Sequence, residues 1–159
     1  MYWVRHIKWK PLLLSLFISL GIGTLSGLLT RGNTSLYQTI RRPLLSPPAG
    51  VFPVVWTILY VLMAISAYLI YESGSECRKP SLTIYGIQLV VNFIWPFIFF
   101  NLHAYLFAFL WLVLLWCLVL AMIVLFYRCC RSAAFLQIPY LLWSSFALYL
   151  NYSVWMLNK

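Results

Sequence analysis

Five long stretches without a charged residue constrain this 159-residue chain more than any other feature. Each reaches the roughly 20 residues that a helix needs to cross the hydrocarbon core of a bilayer. None alternates apolar and polar residues in the segments of about 10 that form transmembrane barrels. The sequence therefore predicts an all-α integral membrane protein, a bundle of five transmembrane helices. The predicted spans are residues 11–30, 49–71, 81–101, 104–127 and 132–157.

The positive charge is spread over the ends of these spans. The net charge is +9, but the basic residues occupy helix ends and short loops rather than one soluble face, which argues against a nucleic-acid partner. The expected partner of these residues is the lipid bilayer. The N-terminus, second loop and fourth loop carry seven Lys and Arg against four on the other side. In a bacterial inner membrane this balance predicts a cytoplasmic N-terminus.

The connections predict a single domain over residues 1–159 with one unusual loop. Most loops between the spans are short, so consecutive helices should be antiparallel neighbours. The first loop, residues 31–48, is much longer, and long structured loops are usually functional. Its second half contains Pro43, Pro47 and Pro48, which stiffen the backbone. We interpret it as a lid over one mouth of the bundle; the alternative is a solvated connector.

The first span has a second interpretation. Arg5, Lys8 and Lys10 before an apolar run resemble a signal peptide. The run is longer than usual for such a segment, and Gly23 and Gly27 form a pair of small residues suited to close helix packing. We expect a membrane span.

The histidines and cysteines predict no metal site. The four cysteines lack Cys-x-x-Cys spacing and only two histidines accompany them, so a zinc site is not expected. We expect Cys129 and Cys130 to be free thiols, with lipidation as the alternative. His6 and His103 lie at membrane boundaries, where solvation is favoured over contact with a metalloporphyrin.

The spans contain no Asp, Glu, Lys, Arg or His, which argues against an ion pathway. They are instead rich in aromatic residues, which make up 19% of the chain. Several share a helix face with polar partners at spacings of three and four, as expected for the wall of a pocket for a flat apolar ligand. The alternative is helix packing or lipid contact. The stripes are Trp56 and Tyr60; Asn92, Trp95 and Phe99; and Trp143, Ala147 and Asn151.

Three segments in these stripes resemble the signature stretches of the TspO/MBR family, the tryptophan-rich sensory proteins and mitochondrial translocator proteins. They are LLSPPAGVFPVVWTILY (44–60), QLVVNFIWPFIFF (88–100) and PYLLWSSFALYLN (139–151). The similarity extends over about residues 37–155, with all five spans in register.

The resemblance implies a five-helix bundle, usually a homodimer, in a bacterial envelope membrane or an organelle membrane. It also implies a pocket, closed by the first loop, for porphyrins, sterols and synthetic ligands, with no resident cofactor. By motif position, the predicted ligand-binding residues are Tyr37, Pro47, Trp56, Tyr60, Asn92, Trp95, Phe99, Trp143, Ala147, Leu150 and Asn151.

The chain departs from the family pattern at three places. Trp111 stands where relatives often have an acidic residue, and Leu45 where an aromatic residue commonly precedes the Pro-Pro pair. Six residues separate Tyr152 from Lys159, where the cholesterol-recognition pattern allows at most five. This mismatch argues against sterol binding through the tail.

The favoured hypothesis is a tetrapyrrole-binding protein for transport or sensing, in which Arg41 or Arg42 binds the propionates. The second hypothesis, implied by bacterial relatives, is an enzyme that degrades protoporphyrin in light and oxygen through Trp56 and Trp143. The third is a structural partner in a larger membrane complex.

Overall fold

The computed structural model describes residues 7–33 and 36–159, without the side chains of residues 33, 36 and 37. Five helical segments in this part of the chain are long and apolar enough to cross a membrane, which confirms the predicted five-helix membrane bundle. The helices are α1 (Trp9–Thr30), α2 (Leu36–Thr39), α3 (Val51–Glu72), α4 (Arg78–Pro96), α5 (Tyr105–Cys129), α6 (Arg131–Phe135) and α7 (Ile138–Leu157). A 3₁₀ turn at Arg31–Asn33 follows α1, and the π-helical turn Phe97–Asn101 extends α4.

Proline marks the start of four long helices. Pro11, Pro53 and Pro80 are the third residues of α1, α3 and α4, and Pro139 is the second residue of α7. A first-turn residue has no intrahelical acceptor for its N–H, so proline loses nothing there and its fixed φ suits the helix. The observed helix ends accordingly differ from the predicted spans by at most three residues.

Small and polar side chains hold the helices together. Since apolar side chains gain little by leaving lipid for protein, close contact and hydrogen bonds must do this work. Ser15 Oγ of α1 donates to the carbonyl oxygen of Ala64 in α3 at 2.7 Å. Trp111 Nε1 donates to the carbonyl oxygen of Val91 at 2.8 Å and thereby ties α5 to α4. Trp111, the first departure from the family pattern, is therefore a packing residue.

The arrangement of the helices leaves a gap on one side of the bundle. α1 packs against α3 and α4, while α5 packs against α4 and α7. α3 contacts α6 near one end of the bundle but makes far fewer close contacts with α7. Large side chains such as Phe52 and Trp143 therefore bridge α3 and α7 where the backbones lie farther apart, and the cavity described below opens beside them.

A disulfide bond corrects the prediction for the cysteines. Cys77 is bonded to Cys129, whereas Cys117 and Cys130 are free thiols. The expectation of a free thiol was therefore wrong for Cys129. The reason is that antiparallel packing brings the start of α4 and the end of α5 to the same end of the bundle, 52 residues apart in sequence. Spacing along the chain does not reveal such a pair.

The disulfide also bears on orientation. Structural disulfides persist in oxidising compartments, whereas the count of basic residues assigns this end of the bundle to the cytoplasm. The two signals disagree, and the cytoplasmic N-terminus stays a prediction.

Candidate functional site

A cavity of about 780 Å³ lies between α1, α3, α4, α5 and α7, beneath the first loop. Its volume falls within the range of pockets that enclose drug-sized ligands. Nine of the eleven predicted ligand-binding residues line it. They are Trp56, Tyr60, Asn92, Trp95, Phe99, Trp143, Ala147, Leu150 and Asn151.

The two remaining predicted residues belong to the first loop. Pro47 is half-buried but lies outside the cavity lining. Tyr37 falls in the short helix α2, and its side chain lies outside the described part of the chain. The loop contributes Gln38 and Ser46 to the lining instead.

Two aromatic pairs form part of the cavity wall. On α3 the rings of Trp56 and Tyr60 have centroids 5.8 Å apart with planes tilted by 35°. On α4 and its π-helical extension, Trp95 and Phe99 are stacked at 5.2 Å and 28°. Pairs of this geometry present broad apolar faces on which a flat ring system can stack.

The π-helical turn sets the position of Phe99. Pro96 has no N–H to donate within the helix, and the chain continues beyond it as the π-helix Phe97–Asn101. A π-helical turn changes the direction of side chains relative to the preceding α-helix, and such turns are frequent at functional sites. Phe99 is thereby buried against Trp95, with Pro96 also in the cavity wall.

The polar groups of the cavity wall differ in whether the protein provides them with a hydrogen-bond partner. Asn151 Oδ1 accepts from Trp95 Nε1 at 3.1 Å, and Asn151 Nδ2 donates to the carbonyl oxygen of Tyr105 at 3.0 Å. Trp143 Nε1, in contrast, is buried and has no hydrogen-bond partner within the described chain. An unpaired donor in an apolar wall is costly unless a ligand or water accepts from it.

Arg31 places a cation at the edge of the cavity. Among the described lining residues, Arg31 is the only one with an ionisable side chain of the Asp, Glu, Lys, Arg or His type. Arg41 and Arg42, the predicted propionate partners, are exposed and do not line the cavity. The backbone of Arg41 is instead bound to the end of α7, where Asn158 Oδ1 accepts from its N–H at 3.0 Å and Asn158 Nδ2 donates to its carbonyl oxygen at 2.9 Å.

The first helix contributes a wall that the sequence did not predict. Six residues of α1, among them Gly23, Gly27 and Thr30, line the cavity. Tyr60 packs so closely on Gly23 that a Cβ there would clash with Tyr60 Cε2. The Gly23-Gly27 pair was an available signal, but it predicted only helix packing. Phe52, Pro53, Leu112, Leu115 and Val154 also line the cavity and were missed.

Comparisons with known proteins point to one family. The profile of the TspO/MBR family matches residues 14–156. The chain is 40% identical over 124 residues to "Protein CrtK" of Rhodobacter capsulatus, covering 77% of this chain and 78% of that protein. It is 32% identical over 122 residues to the "Tryptophan-rich sensory protein" of Cereibacter sphaeroides, covering 77% and 76%. It is 36% identical over 122 residues to the human "Translocator protein", covering 75% and 72%.

Proposed function

The chain belongs to the TspO/MBR family, and on that premise we propose that its cavity binds a flat tetrapyrrole such as protoporphyrin or haem, for transport or sensing. The observation that carries the proposal is the pair of aromatic walls around a cavity of about 780 Å³ at membrane depth. A macrocycle between Trp56 and Trp95 would exchange lipid contact for ring contact on both faces.

The polar groups give the ligand an orientation. The unpartnered Trp143 Nε1 would donate to an acceptor on the ligand, such as a carbonyl or carboxylate oxygen. Arg31 at the mouth would pair with a propionate through a charge-assisted hydrogen bond. This assigns to Arg31 the role that the sequence suggested for Arg41 or Arg42, since only Arg31 of the three lines the cavity.

A binding experiment with matched tryptophan variants tests the proposal. Protoporphyrin is titrated into the protein in lipid nanodiscs, and binding is followed by the shift of the porphyrin absorbance band. Trp56→Ala and Trp143→Ala should each weaken binding by about tenfold or more, since each removes a large stacking or donor surface.

Trp116→Ala is the control, because Trp116 lies outside the cavity lining and donates to Ser145 Oγ on the far side of α7. Affinity that stays the same in both cavity variants would remove the proposed site. A sterol competitor reports whether the same cavity also accepts sterols.

A second candidate function, oxidation of protoporphyrin by light and oxygen, is favoured by the contacts of one tryptophan. The ring centroid of Trp56 lies 5.8 Å from that of Tyr60 and 6.1 Å from that of Tyr140. Three oxidisable rings in contact are an arrangement that can share a radical formed beside the ligand. A defined product from the illuminated complex, lost in Trp56→Phe and Trp143→Phe, would establish this activity, whereas nonspecific bleaching would argue against it.

A further inference from the structure

A network of hydrogen bonds between buried polar side chains connects α7, α4 and α3 beside the cavity. Tyr140 Oη in α7 donates to Gln88 Oε1 in α4 at 3.0 Å and accepts from Asn92 Nδ2 at 3.1 Å. Gln88 Nε2 in turn donates to the thioether sulfur of Met63 in α3 at 3.6 Å. All four side chains are at most 3% exposed.

The thioether of Met63 determines which group donates and which accepts in each of these hydrogen bonds. The sulfur of Met63 can only accept, so Gln88 must direct its NH₂ group toward it and its oxygen toward Tyr140. The hydroxyl of Tyr140 then donates to that oxygen and has lone pairs left for Asn92. The reverse direction would place the oxygen of Gln88 against the lone pairs of the sulfur. Asn92 therefore uses its NH₂ group on Tyr140, and its carbonyl oxygen is left over.

The two asparagines of the cavity consequently differ. Asn151 has both polar groups engaged by the protein, as described above. Asn92 lines the same cavity, but its Oδ1 accepts no hydrogen bond from the described residues. Once a ligand covers this oxygen, leaving it without a donor costs free energy, and a ligand that donates to it avoids that cost.

We propose that the ligand of this cavity presents an N–H or O–H donor to Asn92 Oδ1, and that Tyr140, Gln88 and Met63 are positioning residues that hold the Asn92 amide in this orientation. The proposal rests on the proposed binding function and narrows its ligand class to flat apolar molecules with a donor. Asn92 Oδ1 calls for a donor on the ligand and Trp143 Nε1 calls for an acceptor. The cavity would therefore select ligands by the positions of their donors and acceptors as well as by their shape.

Carbazole and N-methylcarbazole test the proposal, because these flat tricyclic probes differ in a single N–H. Each is measured by displacement of protoporphyrin, and the ratio of the two affinities is compared between proteins so that partition into lipid cancels. The ratio of the affinity for carbazole to the affinity for N-methylcarbazole should be about fivefold higher in wild type than in Asn92→Leu, as expected for one net hydrogen bond. Tyr140→Phe should lose most of this preference, because its Asn92 amide is free to rotate while the ring contact with Trp56 remains.

Asn151→Leu is the matched control and should keep the wild-type ratio, whatever its absolute affinity. The ratio within one variant does not depend on how much of that variant is folded. An unchanged ratio in Asn92→Leu, with protoporphyrin and both carbazoles still binding to wild type, overturns the inference and leaves the proposed function standing. Failure of wild type to bind protoporphyrin overturns the proposed function and the inference that rests on it, whereas protoporphyrin binding that neither carbazole displaces overturns the inference alone.

Discussion

Trp95 Nε1 donates a hydrogen bond of 3.1 Å to Asn151 Oδ1, so a residue of α4 is held by a residue of α7 across one edge of the cavity. Because Asn151 also donates to the carbonyl oxygen of Tyr105 at the start of α5, a single amide joins three helices. The same contact gives the indole N–H of Trp95 an acceptor, whereas the buried Trp143 Nε1 has none among the described residues.

Replacing this amide should weaken the bundle. In Asn151→Leu the indole N–H of Trp95 loses its acceptor in an apolar environment, and the expected loss is about 2 kcal/mol of unfolding free energy. Unfolding by denaturing detergent, followed by circular dichroism, measures it. Ser153→Ala on the same helix is the control, since the half-buried Ser153 side chain makes no hydrogen bond to the described residues. Equal stability of Asn151→Leu and wild type would show that the Trp95 contact contributes little.

A methyl group at Gly23 should disturb the cavity wall. The Cβ of Gly23→Ala would clash with Tyr60 Cε2, so the Tyr60 ring must move from its position beside Trp56. We expect weaker protoporphyrin binding and a loss of about 1–3 kcal/mol from overpacking. Absorbance titration and thermal unfolding measure the two effects.

Gly21→Ala provides a matched control on the same helix. Apart from the neighbouring residues and the backbone of α1 itself, no atom of the described residues lies within 4 Å of a Cβ built there. Only the higher helix propensity of alanine remains, so stability should be unchanged or slightly higher. Similar behaviour of the two variants would contradict the close approach of α1 and α3.

The disulfide should contribute measurable stability. The Cys77–Cys129 bond closes a loop of 52 residues, and loss of a cross-link of that length costs about 4 kcal/mol in the chain-entropy account. Cys77→Ser should therefore unfold at lower temperature than wild type under non-reducing conditions. Cys117→Ser, which removes an exposed free thiol, should not. Alkylation followed by mass spectrometry should find two reactive thiols in non-reduced wild type, and four would contradict the bond.

The sequence predicted the spans and most of the cavity wall for identifiable physical reasons. A charge in hydrocarbon is costly, so charged residues mark the ends of the spans. The spacing of Asn92, Trp95 and Phe99 places them on one side of a helix, and only the interior side gives an amide a partner. These periodicities depend on the helix alone, which is why they are visible before the fold is known.

Contacts between helices were not predictable in the same way. Thr30 and Gly23 line the cavity, but the apolar residues of α1 favour no single face, and its inner face is marked only by glycine, serine and threonine. The sequence likewise does not indicate that Trp95 finds an acceptor while Trp143 does not. Both facts, like the Cys77–Cys129 pair, depend on which residues of distant segments meet.

The attachment of the first loop to α7 should control access to the cavity. Asn158 binds both backbone groups of Arg41, so Asn158→Ala removes two hydrogen bonds that hold the loop. We expect the loop to open more often, and trypsin to cleave the Arg41–Arg42 bond roughly tenfold faster, the factor that corresponds to about 1.4 kcal/mol. Mass spectrometry of the fragments identifies this cleavage among the other basic sites.

Lys159→Ala is the control for this change, because it alters the neighbouring residue of the tail, whose ammonium group lies over the Trp155 ring and not on the loop. Protoporphyrin should also dissociate faster from Asn158→Ala than from Lys159→Ala, since the loop supplies Gln38 and Ser46 to the cavity lining. Faster cleavage without faster dissociation would mean that the loop moves freely over an already open mouth. Unchanged cleavage would mean that the loop is held by contacts other than Asn158.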